Sequence, residues 1–326
     1  MSVRLATASA QSHSPGENAS VSRLTCAFVN NMPDGAFDAT ERQYLSLLEE
    51  ASGPNELEVR RYTMIGVPRG EQTSDRIAKE YIALSNIYLD APDLLIVTGS
   101  NPIETHIEDE PYWDDLFELL TWSRHRVRST LLSCLSAHAA LTVYDDIARV
   151  RLATKCTGVF SQDVDGAHPL TAGLELEIDL PHSRWNSVPR EFLENAGYAV
   201  VVQSETTDWG IATREEEGHQ LVLVQGHPEY DPSSLLREYR RDAGRYVHHQ
   251  RDDLPYLPYH CASEEDWKSL ERIHNEIMDG ARDPLLIDQY PFDEVAARAP
   301  WPWRSMATRF YSNWVRGASP VSELVD

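Results

Sequence analysis

The chain has 326 residues, 41% of them hydrophobic and eight of them tryptophan, enough for one large α/β domain or a domain with an appendage. Its formal charge of −23 disfavours nucleic acid and anionic membranes as partners, and no apolar run reaches the length of a membrane span. Cys26, Cys134, Cys156 and Cys261 show no Cys-x-x-Cys spacing, so neither a zinc ribbon nor a disulfide framework is indicated, and reduced thiols in a cytoplasm are expected.

Residues 1–22 are Ser/Ala-rich, without a basic start followed by an apolar stretch. They read as a flexible tail and not as a secretory signal. Leu24–Asn30 predicts a buried first strand ending in Asn30-Asn31. Asp38 or Thr40 can cap a helix through Ala51, with Tyr44, Leu45, Leu47 and Leu48 on its inner face. Leu57–Tyr62 reads as a second strand and Thr73–Ile87 as a helix. Asp93–Thr98 is a third strand closed by Gly99-Ser100-Asn101-Pro102, Tyr112–Ser123 a helix, and Ser129–Ser133 a fourth strand. This alternation predicts a doubly wound α/β fold, a mostly parallel sheet flanked by helices. In such sheets the site lies beyond the carboxyl ends of the strands.

From Gly158 to Val224 the pattern turns to short β-like pieces: Gly158–Phe160, Leu174–Leu180, Tyr198–Ser204 and Leu221–Val224. Helix resumes over Ser233–Val247. Residues 23–250 are therefore read as the catalytic domain. Residues 251–326, richer in Pro, Trp and acidic residues, form a C-terminal helical extension with helices near 264–279 and 302–316. That extension packs on the catalytic domain or on a dimer partner.

The chemistry centres on Cys134, which stands where an apolar strand-like run meets an alanine-rich helix-like run. A cysteine in such a place is most often a small core residue. At a helix N-terminus, however, the backbone N–H groups would stabilise a thiolate and receive an oxyanion. Its neighbours Ser133 and Leu135 are not the pair of small residues usual in a nucleophile elbow. Cys134 and His138 are spaced i, i+4, which can hold a metal, but no second ligand pair accompanies them. No metal is expected, and His138 reads as a packed helix residue. The strand-like Gln220–Gln225 delivers Gly226, His227 and Glu229. With Pro228 between them, His227 and Glu229 project the same way, so the carboxylate can fix the tautomer of the imidazole. A polar turn after a strand would explain any one of these residues. The set of Cys134, His227 and Glu229 points to acyl or amide transfer through a thioester.

Further motifs run in order along the chain: Asn30-Asn-Met-Pro33, Thr40-Glu-Arg-Gln43, Ile96-Val-Thr-Gly99, Tyr112-Trp113 and Lys155-Cys-Thr-Gly-Val-Phe160. They continue through Pro181-His-Ser-Arg184, His227-Pro-Glu-Tyr-Asp231, Arg241-Asp242 and Trp303-Arg-Ser305. Together they resemble the homoserine O-acyltransferases (O-succinyl or O-acetyl) of methionine biosynthesis, which share the class I glutamine amidotransferase (flavodoxin-like) fold. The resemblance implies a ping-pong reaction with acyl-CoA, succinyl-CoA or acetyl-CoA, as co-substrate and no bound cofactor. Cys134 would take the acyl group, His227 would activate the homoserine hydroxyl, and Glu229 would orient His227. The N–H of Leu135 and one from the Gly99–Asn101 loop, taken as Ser100, would form the oxyanion hole. Arg241 would bind the amino-acid carboxylate, with Ser183 and Lys155 lining the acceptor side. Lys155 is one of only three lysines, with Lys79 and Lys268. Without the resemblance, Arg241 reads equally well as part of a solvated helix face. A homodimer is implied as well.

The sequence departs from the family after Pro33, beside Cys134 and in an expanded region 250–300. Donor choice stays open. At the position separating acetyl from succinyl donors, one alignment puts Glu104 and another Ile103. Neither is the glycine of succinyl donors, and a carboxylate would repel a succinyl group, whereas the family's usual name favours succinyl. Other readings are transfer to another hydroxy amino acid such as serine, a glutamine amidotransferase-type hydrolase, and a catalytically silent binding module. The Gly-x-Cys-x-Gly usual in glutaminases is absent from the sequence.

Overall fold

A computed structural model describes residues 3–6, 24–52, 57–280 and 282–318. In chain order the first half runs β1 (Arg4–Ala6), β2 (Leu24–Val29), α1 (Asp34–Ser52), β3 (Leu57–Thr63), α2 (Glu71–Glu80), β4 (Ile82–Ala83), α3 (Ile87–Asp90), β5 (Leu94–Val97), α4 (Trp113–Arg126), β6 (Ser129–Ser133) and α5 (Leu135–Asp145). The second half runs β7 (Val150–Val164), β8 (Glu177–Ser187), α6 (Arg190–Asn195), β9 (Ala199–Ser204), β10 (Asp208–Glu216), β11 (His219–Val224), α7 (Ser234–Val247), α8 (Glu264–Met278), α9 (Pro284–Asp288), α10 (Phe292–Arg298) and α11 (Arg304–Gly317).

The strands form one sheet in the order β1-β3-β2-β5-β6-β11-β10-β9-β7-β8, with β4 also paired to β3. From β1 to β11 the neighbours are parallel, and beyond β11 they are antiparallel. The central strands are largely apolar because both faces are covered, as parallel sheets require. Their pleat sends alternate residues to opposite layers. Cys26, Phe28, Ile96, Leu131 and Val222 join one core with Tyr44 and Leu47 of α1 and Phe310 and Trp314 of α11. Ala27, Val29, Leu95, Leu132 and Leu223 join the other with Leu119 of α4 and Leu141 of α5.

Several elements differ from the sequence expectation. The first helix begins at Asp34, not at Asp38 or Thr40, because the Pro33 carbonyl already accepts from Ala36 and Phe37 N–H at 3.0 Å. The helix expected over Thr73–Ile87 stops at Glu80. There Tyr81 turns extended, its ring packs 5.2 Å from Phe37 and its hydroxyl donates to Glu41, while Ile82–Ala83 pair with Tyr62–Thr63. The piece at Gly158–Phe160 and the last four residues of that expected over Leu174–Leu180 are parts of the long antiparallel pair β7–β8, which begins in β8 at Glu177. Strand β10 was not legible, since Gly210 and the run Arg214-Glu215-Glu216 blur its alternation. It forms a hairpin with β11 through Glu217 and Gly218, both at positive φ, the geometry that two-residue hairpin loops favour.

Of the stretch expected to be an N-terminal tail, Arg4–Ala6 pairs in parallel with Glu58–Arg60, while residues 1–2 and 7–22 lie outside the described residues. In the C-terminal segment, α11 lies on α1, with Arg304 paired to Glu50 and the Trp314 indole donating to Ser129 Oγ at 2.7 Å. Helices α9 and α10 pack on α7. The segment therefore covers the sheet of its own chain.

Candidate active site

Strands β2, β5, β6 and β11 are consecutive and parallel, so their carboxyl ends open side by side. They deliver Asn30-Asn31, Thr98-Gly99, Cys134 and Gln225-Gly226-His227 to one edge. The ends are tied to one another. Thr98 N–H donates to Val29 O at 3.0 Å, Asn31 N–H to Thr98 Oγ1 at 2.8 Å, and Cys134 N–H to Val224 O at 2.7 Å.

Cys134 is half-buried and caps α5 at φ 50°, ψ −106°. A non-glycine residue pays about 1–3 kcal/mol for such a backbone and keeps it only where the surroundings impose it. They do so here. Its carbonyl accepts from Ala137 and His138, and Ser136 Oγ donates to Val97 O at 2.8 Å. The first N–H groups of α5 have no acceptor within the helix, so that of Leu135 is free to meet charge developing beside the sulfur. The neighbouring loop lies against the elbow at Gly99, where even a side-chain carbon would only reach ordinary van der Waals contact. A Cβ there would stand 3.4 Å from Cys134 Cβ and 3.6 Å from Leu135 N. Ser100, half-buried, follows directly, with its hydroxyl beside the Tyr112 phenol.

His227 Nδ1 lies 2.8 Å from Glu229 Oε1, and its ring stacks on Tyr230 with centroids 4.3 Å apart. With Nδ1 held by Glu229, Nε2 is buried without a hydrogen-bond partner and is the nitrogen left to serve Cys134. Burial opposes a charge on His227, but the Glu229 carboxylate and the Cys134 sulfur outweigh it and hold the imidazole well above its ordinary range. Glu229 is itself buried beside Tyr44 and Tyr311. Burial and then the Glu229 charge push both phenols upward. Tyr311 comes from α11, so the C-terminal segment helps to wall the Glu229 carboxylate.

A second group of contacts lies on the α7 side. Glu238 Oε2 accepts from Ser183 Oγ and pairs with Lys155 Nζ at 3.4 Å, and Oε1 accepts from Tyr230 at 2.7 Å. Burial works against ionisation of Glu238, but Lys155, Ser183 and Tyr230 outweigh it and lower its pKa. Arg241, one helical turn on, closes its Nε and Nη2 on Asp242 at 2.8 and 3.0 Å. The Asp242 bond raises the Arg241 pKa against burial, and the nearby Glu238 charge adds to that. Glu104 is not drawn in. It is exposed, and only its backbone N–H is engaged, by Glu110 Oε1 at 3.0 Å, which also accepts from Ile103 N–H. The buried carboxylate beneath this loop is that of Glu110. His138 is buried against Gln225, its Nε2 3.1 Å from Oε1, and burial lowers its pKa to about 3.

A sequence profile described as "HTS: Homoserine O-succinyltransferase" matches residues 6–319. Curated relatives agree in name. Homoserine O-succinyltransferase of Rhodopseudomonas palustris is 36% identical over 315 residues, 95% of this chain and 93% of that protein. Those of Thiothrix nivea and Bradyrhizobium japonicum are 36% and 39% identical, over 90% and 82% of this chain and 82% of each relative. This chain belongs to the homoserine O-succinyltransferase family. The fold is shared more widely. The crystal structures of SMU.1228c and of glutamine amido transferase from Methylobacillus flagellatus superpose with TM-scores of 0.52 and 0.50 at 12% and 13% identity. They cover 90% and 91% of this chain and 99% and 96% of theirs.

Within this family member the sequence reading left out three residues that the fold brings to the site. Glu238 sits in Arg237-Glu-Tyr-Arg-Arg-Asp242, a run that reads as a solvated face. Its one available signal was the i, i+3 relation to Arg241, which puts both on one side of α7. Tyr230 stood in the His-Pro-Glu-Tyr motif without a role. Arg149, just before β7, carried no local signal at all.

Proposed function

We propose that this chain is an acyltransferase that moves an acyl group from acyl-CoA to the hydroxyl of L-homoserine, in methionine biosynthesis, through a thioester on Cys134. The observation that carries this reading is Cys134 at the N-terminus of α5, beside an imidazole held by Glu229. The Cys134 thiolate attacks the thioester carbonyl, and the oxyanion forms against the N–H groups of Leu135 and Ser100. Collapse expels the CoA thiolate, which takes the proton of His227. Homoserine then gives its hydroxyl proton to His227 as its oxygen attacks the acyl-enzyme. The second collapse returns the ester and the Cys134 thiolate beside protonated His227.

The α7 contacts suit a free amino acid as acceptor. Glu238 offers a carboxylate to an ammonium group. Arg241, anchored by Asp242, keeps its Nη1 edge for a carboxylate, with Lys155 and Ser183 between them. We also propose a cytoplasmic homodimer. The four cysteines stand free, and no described helix is long and apolar enough to cross a membrane. Sedimentation velocity tests the dimer.

The chemistry is tested by incubating the protein with succinyl-CoA or acetyl-CoA alone and measuring intact mass. An adduct on the wild type that is missing from Cys134→Ala supports the thioester. No adduct from either donor overturns it. Scanning homoserine and serine as acceptors then tests the second half-reaction.

A further inference from the structure

Arg149 stands just ahead of β7 and reaches the loop that follows Gly99, where its Nη2 donates to Thr105 O at 3.3 Å. Its Nε is buried and has no hydrogen-bond partner, and among the described residues no carboxylate forms an ion pair with it. Burial lowers its pKa, and it lies near enough to Tyr112, Glu110, the Cys134 sulfur and Glu108 to feel their charges. Glu110 gives its Oε1 to the N–H groups of Ile103 and Glu104, and its buried Oε2 has no hydrogen-bond partner and forms no ion pair with Arg149. A guanidinium partly withdrawn from water, with a buried unpaired donor, is costly unless a ligand supplies the missing anion.

We infer that Arg149 binds the distal carboxylate of a dicarboxylic acyl group, the succinyl group of succinyl-CoA, and so selects the donor. This rests on the acyl-enzyme reading above and deepens it.

Two other anions could be considered, and the layout argues against both. The nucleotide phosphates of CoA are held far from the thioester carbon by the pantetheine arm, whereas the succinyl carboxylate is two methylenes from it. An arginine near enough to the reactive sulfur to feel its charge therefore reads the acyl group. The acceptor carboxylate already has cations of its own, Arg241 and Lys155, gathered with Glu238, Ser183 and Tyr230 in a separate set of contacts. Arg149 instead bonds Thr105 O in the loop after Gly99, with the charges of Tyr112 and Glu110 near it. The exposed Glu104 is then not the residue that decides the donor.

The test is the rate of Cys134 acylation by succinyl-CoA and by acetyl-CoA, read by intact mass on wild type, Arg149→Gln and Arg149→Lys. The ratio of the two rates is independent of how much of a variant is folded. In Arg149→Gln the succinyl-to-acetyl ratio should fall about 10- to 100-fold, the worth of a hydrogen bond to a charged group, and Arg149→Lys should recover part of it. The KM for homoserine should not move. An unchanged ratio in Arg149→Gln, a wild type acylated by acetyl-CoA alone, or a raised homoserine KM with the ratio intact overturns the assignment. Absence of any adduct on the wild type is a different failure, because it removes the thioester itself.

Discussion

The amide of Cys134 donates to the carbonyl of Val224 at 2.7 Å. Through that one bond the strand leading to Cys134 and the strand leading to His227 share a carboxyl end, with His227 three residues beyond Val224. The separation of 93 positions in sequence is closed by a parallel register in which Ser133 faces Val224. The elbow and the imidazole therefore cannot drift apart without unpairing the centre of the sheet.

Glu229→Gln keeps a hydrogen-bonding group beside Nδ1 and removes the charge. The Glu229 carboxylate helps to hold His227 above its ordinary range, against burial, so this substitution should bring the imidazole titration down. Cys134 acylation at neutral pH should slow by about 100-fold or more. Titration of His227 by NMR together with single-turnover mass spectrometry checks both. Slow acylation with an unmoved His227 titration would mean that Glu229 acts sterically.

Glu238→Gln removes the carboxylate shared by Lys155, Ser183 and Tyr230. The acceptor KM should rise about tenfold or more, while formation of the acyl-enzyme changes little. Arg241→Ala should show the same split. Equal loss in both half-reactions would move these residues from acceptor binding to the shared chemistry.

Stability should fall on acidification through a buried histidine. His138 has its pKa lowered by burial from an ordinary 6.5 to about 3. Between those values the unfolded chain binds a proton that the folded chain refuses, so stability is lost as pH drops from 6.5 towards 3. His182, wholly buried and also lowered, adds in the same direction. Urea unfolding of the wild type and His138→Gln should show the variant losing about 1–2 kcal/mol less between pH 6.5 and 5. Parallel pH curves would assign the acid sensitivity elsewhere.

Trp314 anchors the C-terminal segment to the sheet, wholly buried and bonded to Ser129 Oγ. Trp314→Ala should cost about 3–5 kcal/mol. Trp314→Phe keeps most of the packing and should cost less. Denaturant midpoints at constant slope check both. A near-neutral Trp314→Ala would show that α11 is not part of the cooperative unit.

Local pattern carried much of the architecture. Ser129–Ser133 is the observed β6 residue for residue, and the helices near 233–247 and 264–279 lie within a residue of α7 and α8. Those segments are strongly periodic, and their neighbours in space agree with their own preferences. Legibility failed where a partner overrode local preference. The segment after Glu80 leaves the helix because Tyr81 is buried against Phe37 and β3 is open beyond Arg60, where its pairing with β1 ends. Strand β10 is held by β9 and β11, not by its own alternation.

The site divides in the same way. Cys134, His227 and Glu229 were readable because each follows an apolar strand, and the carboxyl ends of parallel strands converge by topology. Burial and unmet hydrogen-bonding capacity are not local properties. Whether Glu238 is solvated or joins Ser183 to Lys155, and whether Arg149 finds a partner, depends on how the α7 face and the loop after Gly99 lie against the sheet. The sequence by itself determined the layered sheet and the convergence of Cys134 with His227 and Glu229, because strand periodicity and a strand-to-helix junction are written in consecutive residues. Only the tertiary structure decided which charges surround them, because the energy of a charge is set by what the fold places beside it and by how much water it leaves there.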